Sequence, residues 1–384
     1  MKRALMYASV ASMIQQFNMN NIKILQNLDY QVDVVCNFRF GNTISEEKIK
    51  KFKNDLDRMH INYYHIPIPR KITDINNLKE SFRLTKKIIN DNKYNLIHCH
   101  SPIGGIICRL ANKKSRNYGY VKMIYTAHGF HFFKGNNIIK NFIFKAIEKY
   151  SAKYTDILIT INKEDYLAAK QFTLKKNGEV LYIPGVGIDL ENIQNIEGDR
   201  NDLLKKLRLD RDVKLLLSVG ELSKRKNQIS VIKSIPYLNE KYHYVLCGIG
   251  NKYSEFQDLA KQLNIENRIH MLGYRTDIIK IMKSCDIFLF PSLQEGLPVA
   301  LMEAMACGLP CIASKIRGNT DLIQKDGGFL ITINSFSKEL IKILNEDFIN
   351  ESMGIYNSNA IKSFSLKFIE KSMIEIYKGD ECEV

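Results

Sequence analysis

Residues 287–308 read IFLFPSLQEGLPVALMEAMACG, an apolar run followed by a glycine turn and a second apolar stretch. The run Ile287–Phe290 predicts a buried strand, and the residues after the turn predict a short helix. Pro298 suits the first turn of that helix, and Gly308 suits its end. A helix that starts beyond the carboxyl end of a strand offers unpaired amides and a positive dipole, which favour a bound diphosphate.

The same alternation of strand and helix extends along the whole chain. Short runs rich in Val, Ile and Leu alternate with amphipathic stretches, which is typical of βα units. Because the runs are continuously apolar, we predict parallel sheets covered on both faces. The predicted strands lie near Ala4–Ala8, Val32–Cys36, Tyr63–Ile66, Leu96–His98, Lys122–Thr126, Ile157–Ile161, Val180–Ile183, Lys214–Val219, His243–Cys247, Ile269–Met271, Ile287–Phe290, Pro310–Ala313 and Gly328–Ile331.

A chain of 384 residues is long enough for two domains. Periodicity breaks at residues 183–189, IPGVGID, where a proline and two glycines predict an interdomain linker. We predict an α/β fold with two Rossmann-like, doubly wound domains, residues 1–186 and 187–364. A helix in residues 365–384 is expected to pack back on the first domain. Ligands of such sheets bind beyond the carboxyl ends of the strands, so we expect the active site in a cleft between the domains.

The formal net charge of +15 is distributed unevenly along the chain. Residues 1–185 contain 30 Lys and Arg against 14 Asp and Glu, whereas residues 186–384 contain 26 against 27. This asymmetry indicates that the first half meets something anionic, such as phospholipid, a lipid pyrophosphate or nucleic acid. A general coding bias toward lysine is the alternative, but it would hardly spare the second half.

Cysteine usage and hydropathy predict a cytoplasmic protein. The eight cysteines lack the spacings of zinc sites and are typical of buried residues in a reducing compartment. The apolar run near the start is short and diluted by serine and glutamine, so a first strand explains it better than a secretory signal. No later stretch reaches the roughly 18 apolar residues of a membrane span.

Two glutamates flank the start of the helix predicted within residues 287–308. Glu295 precedes its N-terminus, and Glu303 lies inside it, roughly 7–8 Å beyond the start at 1.5 Å per residue. Both can accept hydrogen bonds from sugar hydroxyls, one from the ribose of a nucleotide and one from a transferred hexose. Two solvated glutamates are the alternative, but an idle carboxylate on so apolar a helix is costly.

This pair resembles the Glu-x7-Glu signature of the GT4 family of retaining glycosyltransferases. The resemblance covers essentially the whole chain through HCHSP at 98–102, TAHG at 126–129, the 183–189 linker and a lysine loop. It is greatest for enzymes of bacterial capsular or exopolysaccharide assembly. It implies the GT-B fold, with two domains facing a central cleft. It also implies transfer from a nucleotide diphosphate sugar, mostly UDP-linked, to a lipid-linked or saccharide acceptor.

The resemblance further implies which residues hold the donor. Glu303 would hold the ribose, and Glu295 would contact the transferred sugar. The pyrophosphate region would be lined by Gly296, Leu297, Pro298 and Val299, of which proline has no amide hydrogen. In the family, the backbone of the loop at Gly273 and Tyr274 contacts the nucleobase, and ordinary exposed loop residues are the alternative. Gly250, in a lone GxG that follows a predicted strand, is a further donor-binding candidate, for which a tight turn is an equal alternative.

Lys226 matches the phosphate-clamping lysine of the family's G-R-x4-K segment, which reads GELSKRK at residues 220–226 here. The family's arginine is replaced by Glu221, whose carboxylate would repel a diphosphate. Either Glu221 points elsewhere and Arg225 supplies the missing charge, or donor recognition differs from the family pattern. A solvated charge cluster in a turn is the alternative.

His128 ends a predicted strand and resembles the family's histidine near the transferred sugar, which makes it a catalytic candidate beside Glu295. The family implies a same-face displacement in which the donor phosphate takes the acceptor's proton and the oxocarbenium-like charge is stabilised electrostatically. No DxD pair follows a strand. We therefore expect a metal-independent enzyme without a cofactor, in which positive charges and a helix dipole take the metal's place.

The acceptor side is predicted at the ends of two other strands. The candidates are Ser9, Ser12, His100 and Ser101. The two serines at 9 and 12 lie in a predicted first loop, where relatives commonly carry paired glycines. We expect His98 and His100 to point to opposite faces of their strand and therefore not to form a metal pair.

Residues 138–153 predict a basic amphipathic helix. Its apolar stripe contains Ile138, Ile139, Phe142, Ile143, Ala146, Ile147 and Tyr150, and its flanks carry Lys140, Lys145, Lys149 and Lys153. Such a stripe fits a buried core or an anionic membrane surface equally well. The aromatic residues before it and the charge of the first half favour peripheral association with the inner face of the plasma membrane.

Two other functions are compatible with parts of this pattern. A nucleotide-sugar epimerase or a phosphorylase would use the same fold and cleft. A basic nucleic-acid-binding protein would need arginine-rich or aromatic stacking motifs, and the sequence contains none that we recognise, so we expect no nucleic-acid partner.

Overall fold

The computed structural model describes residues 2–41 and 44–379. The chain folds into two compact units. The first contains the described residues of 1–186 and of 367–384, and the second is Gly187–Leu366. Cys382, one of the eight cysteines, lies outside the described residues. The other seven are free thiols, six of them buried.

The first unit is built on a seven-stranded parallel sheet. Its strands are β1 (Lys2–Val10), β2 (Tyr30–Asn37), β3 (Asn62–His65), β4 (Leu96–His100), β5 (Lys122–Ala127), β6 (Ile157–Thr160) and β7 (Glu179–Tyr182). The spatial order is β3-β2-β1-β4-β5-β6-β7. Strand order therefore reverses between β1 and β4, where Met6 is in register with His98. Ligands of doubly wound sheets bind at such a switch point.

Helices cover both faces of this sheet. They are α1 (Ala11–Phe17), α2 (Met19–Asn27), α3 (Glu46–Arg58), α4 (Ile75–Asn92), α5 (Pro102–Lys113), α6 (Ile138–Ala152) and α7 (Lys163–Ala169). Two apolar cores result, one on each side of the sheet. The predicted first loop at Ser9–Met13 is wrong, because β1 runs to Val10 and α1 begins directly at Ala11.

The second unit repeats this topology with six parallel strands. They are β8 (Lys214–Val219), β9 (Tyr242–Cys247), β10 (Ile269–Gly273), β11 (Ile287–Phe290), β12 (Cys311–Ser314) and β13 (Gly328–Ile331). The order is β10-β9-β8-β11-β12-β13, so its switch point lies between β8 and β11. Its helices are α8 (Leu190–Asn195), α9 (Arg200–Leu207), α10 (Ile229–Ile232), α11 (Tyr253–Gln262), α12 (Ile278–Met282), α13 (Val299–Ala306), α14 (Asn319–Leu322), α15 (Phe336–Asn345) and α16 (Glu351–Ala360).

A last helix, α17 (Leu366–Lys378), belongs to the core of the first unit. Its residues Ile369, Met373, Ile376 and Tyr377 are buried beside the β1 and β4 side chains of that core. Lys122 of β5 donates a hydrogen bond to the carbonyl of Ile376 at 2.9 Å. All thirteen strands match the predicted runs to within a few residues, which confirms two α/β sheets.

Candidate active site

The loops after β8 and β11 meet at the switch point of the second unit. The amide of Leu293 donates to the carbonyl of Arg225 at 2.8 Å, and the side chain of Asn227 donates to the carbonyl of Pro291 at 3.1 Å. These two bonds tie the lysine loop to the glutamate segment. The two motifs, about 70 residues apart in sequence, therefore form one local structure.

Glu295 is the centre of this structure. Its Oε1 lies 2.8 Å from Nζ of Lys226 and 3.0 Å from Nη1 of Arg225. The side chains of Glu295 and Lys226 are only 10% and 13% exposed, so this pair is largely removed from water. Nζ of Lys226 also lies 4.7 Å from the ring centroid of Phe290. A half-buried cluster of two cations and one carboxylate is suited to a ligand of higher negative charge.

Glu221 does not belong to this cluster. Its side chain is exposed, and its backbone carbonyl accepts a hydrogen bond from Gln228 at 2.9 Å. Arg225 instead stands beside Lys226 on the shared carboxylate of Glu295. This arrangement matches the first of the two alternatives drawn from the sequence: Glu221 points away from the cluster, and Arg225 lies within it.

Helix α13 begins at Val299, four residues after Glu295 in the sequence and one residue later than predicted. Pro298 is the N-cap in an extended conformation, whereas the sequence prediction placed it in the first turn, so that detail is wrong. No side chain caps α13, and the first amides of a helix have no partner within it. Gly308 follows the helix with a φ of +76°, as predicted for its end.

Arg317 and Gly318, after β12, hold the glycine turn before α13. Nε of Arg317 donates to the carbonyl of Glu295 at 3.2 Å. Gly318 has a φ of +81°, and a Cβ there would lie 2.2 Å from the carbonyl oxygen of Gly296. Neither residue was predicted from the sequence, in which the available signal is an Arg-Gly pair just beyond a predicted strand.

Glu303 lies on the second turn of α13 among apolar residues. Burial raises its pKa to about 7, since the charged carboxylate loses hydration there. Among residues 2–41 and 44–379, its side chain has no hydrogen-bond partner. A carboxylate in this position is poised to accept hydrogen bonds from hydroxyls of a ligand.

Gly250 follows β9 and packs against the lysine loop at residues 220–226. A Cβ on Gly250 would lie 2.2 Å from the carbonyl oxygen of Leu222, and one on Gly248 would lie 1.8 Å from that of Gly220. Two backbone segments approach so closely here that only glycine fits. Gly273 ends β10 with a φ of +66°, and the side chain of Tyr274 is exposed beside it.

In the first unit, His128 lies just after β5 and contacts His100 of β4. Nδ1 of His100 is 3.1 Å from Nε2 of His128. The prediction that His98 and His100 point oppositely is wrong, because residues two apart on a strand share a face. Their ring centroids are in fact 4.1 Å apart.

Two of the three candidate serines, Ser9 and Ser101, are hydrogen-bonded to each other at the β1–β4 switch point. Oγ of Ser101 accepts from the amide of Ser9 at 3.2 Å, and Oγ of Ser9 accepts from the amide of Gly104 at 3.0 Å. Ser101 has a φ of +67°, and Ser12 is buried in α1. Within the described part of the chain, no group of three or more Cys, His, Asp and Glu side chains is placed to hold a metal ion.

Comparison with known proteins identifies the family. Residues 8–162 match the model of glycosyl transferase 4-like domains, and residues 199–362 match that of glycosyl transferases group 1. EpsD of Bacillus subtilis, assigned as a glycosyltransferase, is 30% identical over 98% of this chain and 97% of its own. An Escherichia coli enzyme, UDP-Gal:α-D-GlcNAc-diphosphoundecaprenol α-1,3-galactosyltransferase, is 29% identical over 88% and 86%.

Solved structures share the fold. HepE of Anabaena in complex with UDP-glucose has a TM-score of 0.75 at 21% identity, covering 98% of this chain and all of HepE. WaaG, a glycosyltransferase involved in lipopolysaccharide biosynthesis, has a TM-score of 0.67 at 15% identity over 98% and 100%. The chain is therefore a member of the glycosyltransferase family of EpsD, with a 4-like and a group 1 domain on the GT-B fold.

Proposed function

We propose that this protein transfers a sugar from a UDP-sugar, with retention of configuration, to a lipid-linked or saccharide acceptor in surface polysaccharide assembly. The observation that carries the donor assignment is the cluster of Glu295, Lys226 and Arg225 beside the N-terminus of α13. The galactosyltransferase acting on a diphosphoundecaprenol acceptor and the UDP-glucose complex of HepE support the two substrate classes.

In this proposal, the donor diphosphate replaces Glu295 as the partner of the two cations. A diphosphate carries more negative charge than one carboxylate. It can also accept from the amide of Leu297, which precedes the N-cap, and from that of Val299, the first residue of α13. Glu295, once released, accepts hydrogen bonds from hydroxyls of the transferred sugar, while Glu303 accepts from the ribose. The loop near Gly273 and Tyr274 takes the nucleobase.

The chemical step needs charge stabilisation rather than a protein nucleophile. We propose that the donor phosphate takes the acceptor's proton on the face where the new bond forms. Lys226, Arg225 and the dipole of α13 stabilise the charge that builds on the leaving diphosphate, in the place of a metal ion. His128 of the first unit contacts the transferred sugar, and Ser9, Ser12, His100 and Ser101 lie on the acceptor side.

Turnover tests the assignment. The purified protein is expected to release nucleoside diphosphate from one member of a nucleotide-sugar panel only when membrane extract supplies an acceptor, apart from slow hydrolysis. Lys226→Ala is expected to lower this rate about 10- to 150-fold, since one charge-assisted contact to phosphate contributes about 1.5–3 kcal/mol. Lys224→Ala, which removes an exposed lysine two residues earlier, serves as the matched control. Equal rates in the two variants would contradict the donor assignment, and acceptor-independent conversion would favour an epimerase.

We further propose that α6 binds the inner face of the plasma membrane. Its stripe is exposed on the protein surface: Ile138 is 85% and Phe142 is 76% exposed, and Ile139 is exposed as well. Lys140, Lys145 and Lys149 of the same helix are also exposed, and this combination of apolar and basic residues suits an anionic lipid surface. No helix in the described part of the chain is long and apolar enough to cross a bilayer.

Flotation with liposomes tests the membrane proposal. The protein is expected to float with vesicles that contain anionic phospholipid, less so at high salt, and not with neutral vesicles. Ile138→Ser with Phe142→Ser is expected to abolish flotation. Ile355→Ser is the control, because Ile355 is an exposed isoleucine of α16 in the other unit. Flotation that is indifferent to salt, or equal loss in the control, would refute the role of α6.

A further inference from the structure

Three histidine rings lie next to one another toward the carboxyl ends of β4 and β5 in the first unit. His98 and His100 are fully buried on β4, and His128 follows β5. Burial lowers the pKa of His98 to about 3 and that of His128 to about 4, and it holds the pKa of His100 well below the ordinary value. All three rings are therefore neutral at physiological pH, so each carries one N–H and one lone pair.

The partners of His100 decide which of its nitrogens carries the hydrogen. Nε2 lies 3.1 Å from Sδ of Met6, a buried neighbour on β1. A thioether sulfur has no hydrogen and can only accept. The hydrogen of His100 is therefore on Nε2, and the lone pair of Nδ1 faces Nε2 of His128 at 3.1 Å.

The tautomer of His100 in turn determines that of His128. Its Nε2 faces a lone pair and must donate, which leaves Nδ1 without a hydrogen. Nδ1 of His128 has no hydrogen-bond partner among the residues that the structure describes. The atom that eventually meets this nitrogen must therefore bring a hydrogen, as a hydroxyl does and an ionised phosphate oxygen does not.

We infer that Met6, acting through His100, fixes the tautomer of His128 so that its Nδ1 accepts a hydrogen bond from a sugar hydroxyl. Met6 and His100 are positioning residues. The group that Nδ1 of His128 selects is a hydroxyl, because this nitrogen can only accept a hydrogen bond. The identity of that hydroxyl as part of the donor rests on the proposed function, whereas the tautomer does not.

His98 supplies an internal comparison, because its bonds form a separate branch. Its Nδ1 is 2.6 Å from the hydroxyl of Tyr377 on α17, and its Nε2 is 2.8 Å from Oγ1 of Thr126. The ring of His98 contacts that of His100 at an interplanar angle of 40°, without a hydrogen bond between them. Removing the Tyr377 hydroxyl therefore disturbs the same buried region but leaves the Met6–His100–His128 relay in place.

The tautomer can be read directly by long-range ¹H–¹⁵N NMR correlation on protein labelled with ¹⁵N-histidine, with the His128→Gln spectrum as the assignment. We expect His128 to show a protonated Nε2 and an unprotonated Nδ1. Met6→Leu and His100→Leu are expected to yield a mixture of both tautomers, and Tyr377→Phe is expected to keep the wild-type pattern. Thermal unfolding shows whether each variant folds. If His100→Leu does not fold, the tautomer of His128 in Met6→Leu, which is the smaller change, tests the inference.

A hydrogen on Nδ1 of wild-type His128 would overturn the inference, and so would an unchanged tautomer in Met6→Leu.

Titration with UDP-glucose and with UDP alone tests whether a sugar hydroxyl donates to Nδ1 of His128. The Nδ1 resonance is expected to shift with UDP-glucose and to stay within its apo line width with UDP. An equal shift with UDP would overturn the hydroxyl assignment. Because the tautomer is measured without turnover, a failed transferase assay leaves that result standing.

Discussion

Replacing Glu148 with alanine is expected to lower the free energy of unfolding of the first unit by about 3–5 kcal/mol. Glu148 of α6 and Arg109 of α5 form an ion pair of 2.7 Å with side-chain exposures of 3% and 0%. Alanine would leave the guanidinium buried without a counter-charge. Urea denaturation followed by circular dichroism measures the change, since the chain contains no tryptophan for fluorescence.

Two further variants show whether the missing partner is the cause. Replacing both residues with methionine is expected to recover most of the loss, because an apolar pair does not strand a buried charge. Glu80→Ala removes an exposed ion pair with Arg83 on α4 and is expected to change little. If Glu148→Ala were no more destabilising than Glu80→Ala, the loss of the counter-charge would not destabilise the buried guanidinium of Arg109.

The Arg109–Glu148 pair also links α6, which we propose binds the membrane, to the region of the three histidines. Oε1 of Glu148 accepts from the hydroxyl of Tyr125 on β5, three residues before His128, at 3.2 Å. Nε of Arg109 donates to the carbonyl of Gly105, in the helix that follows β4 and His100. The exposed helix α6 is thereby bonded to β5, which precedes His128, and to α5, which follows His100 of β4.

The strands could be predicted because each is a short, continuous apolar run, and a parallel sheet buried on both faces requires such runs. Glu303 was selected as a candidate from the sequence for a related reason. An ionisable residue such as Glu303 within an apolar helix conflicts with burial, and conflicts of that kind mark functional sites. Burial does raise the pKa of Glu303, as this reasoning expects.

Contacts between distant segments could not be predicted from one sequence. Arg317 and Met6 reach the site regions through register and loop packing, which local patterns do not encode. The stripe of α6 was ambiguous because amphipathic period alone does not distinguish a core from a lipid-facing surface. The error at His98 and His100 was of a different kind, since the two-residue period of a strand already places them on one face.

Donor affinity is expected to fall as the pH drops below 7, approaching about tenfold per pH unit well below 7, with Glu303 as the cause. The free protein holds this carboxyl with a pKa of about 7. Under the proposed function, the ribose hydroxyls bind the ionised form, so they lower its pKa and binding releases a proton. Acid therefore opposes binding, and affinity levels off above pH 7. The carboxyl is half ionised at pH 7 and about one part in a hundred ionised at pH 5, so the dissociation constant is expected to rise about 50-fold between these pH values.

Calorimetric titration with UDP-glucose suits this measurement, because its diphosphate is a diester that does not titrate in this range. Repeating the titration in buffers of different ionisation enthalpy counts the released protons, and one is expected near pH 6. Glu303→Gln keeps the shape of the side chain but cannot ionise. It is therefore expected to bind more weakly at pH 8 and to lose the pH dependence. A pH dependence that survives in Glu303→Gln would assign the titration to another group and separate Glu303 from the ribose.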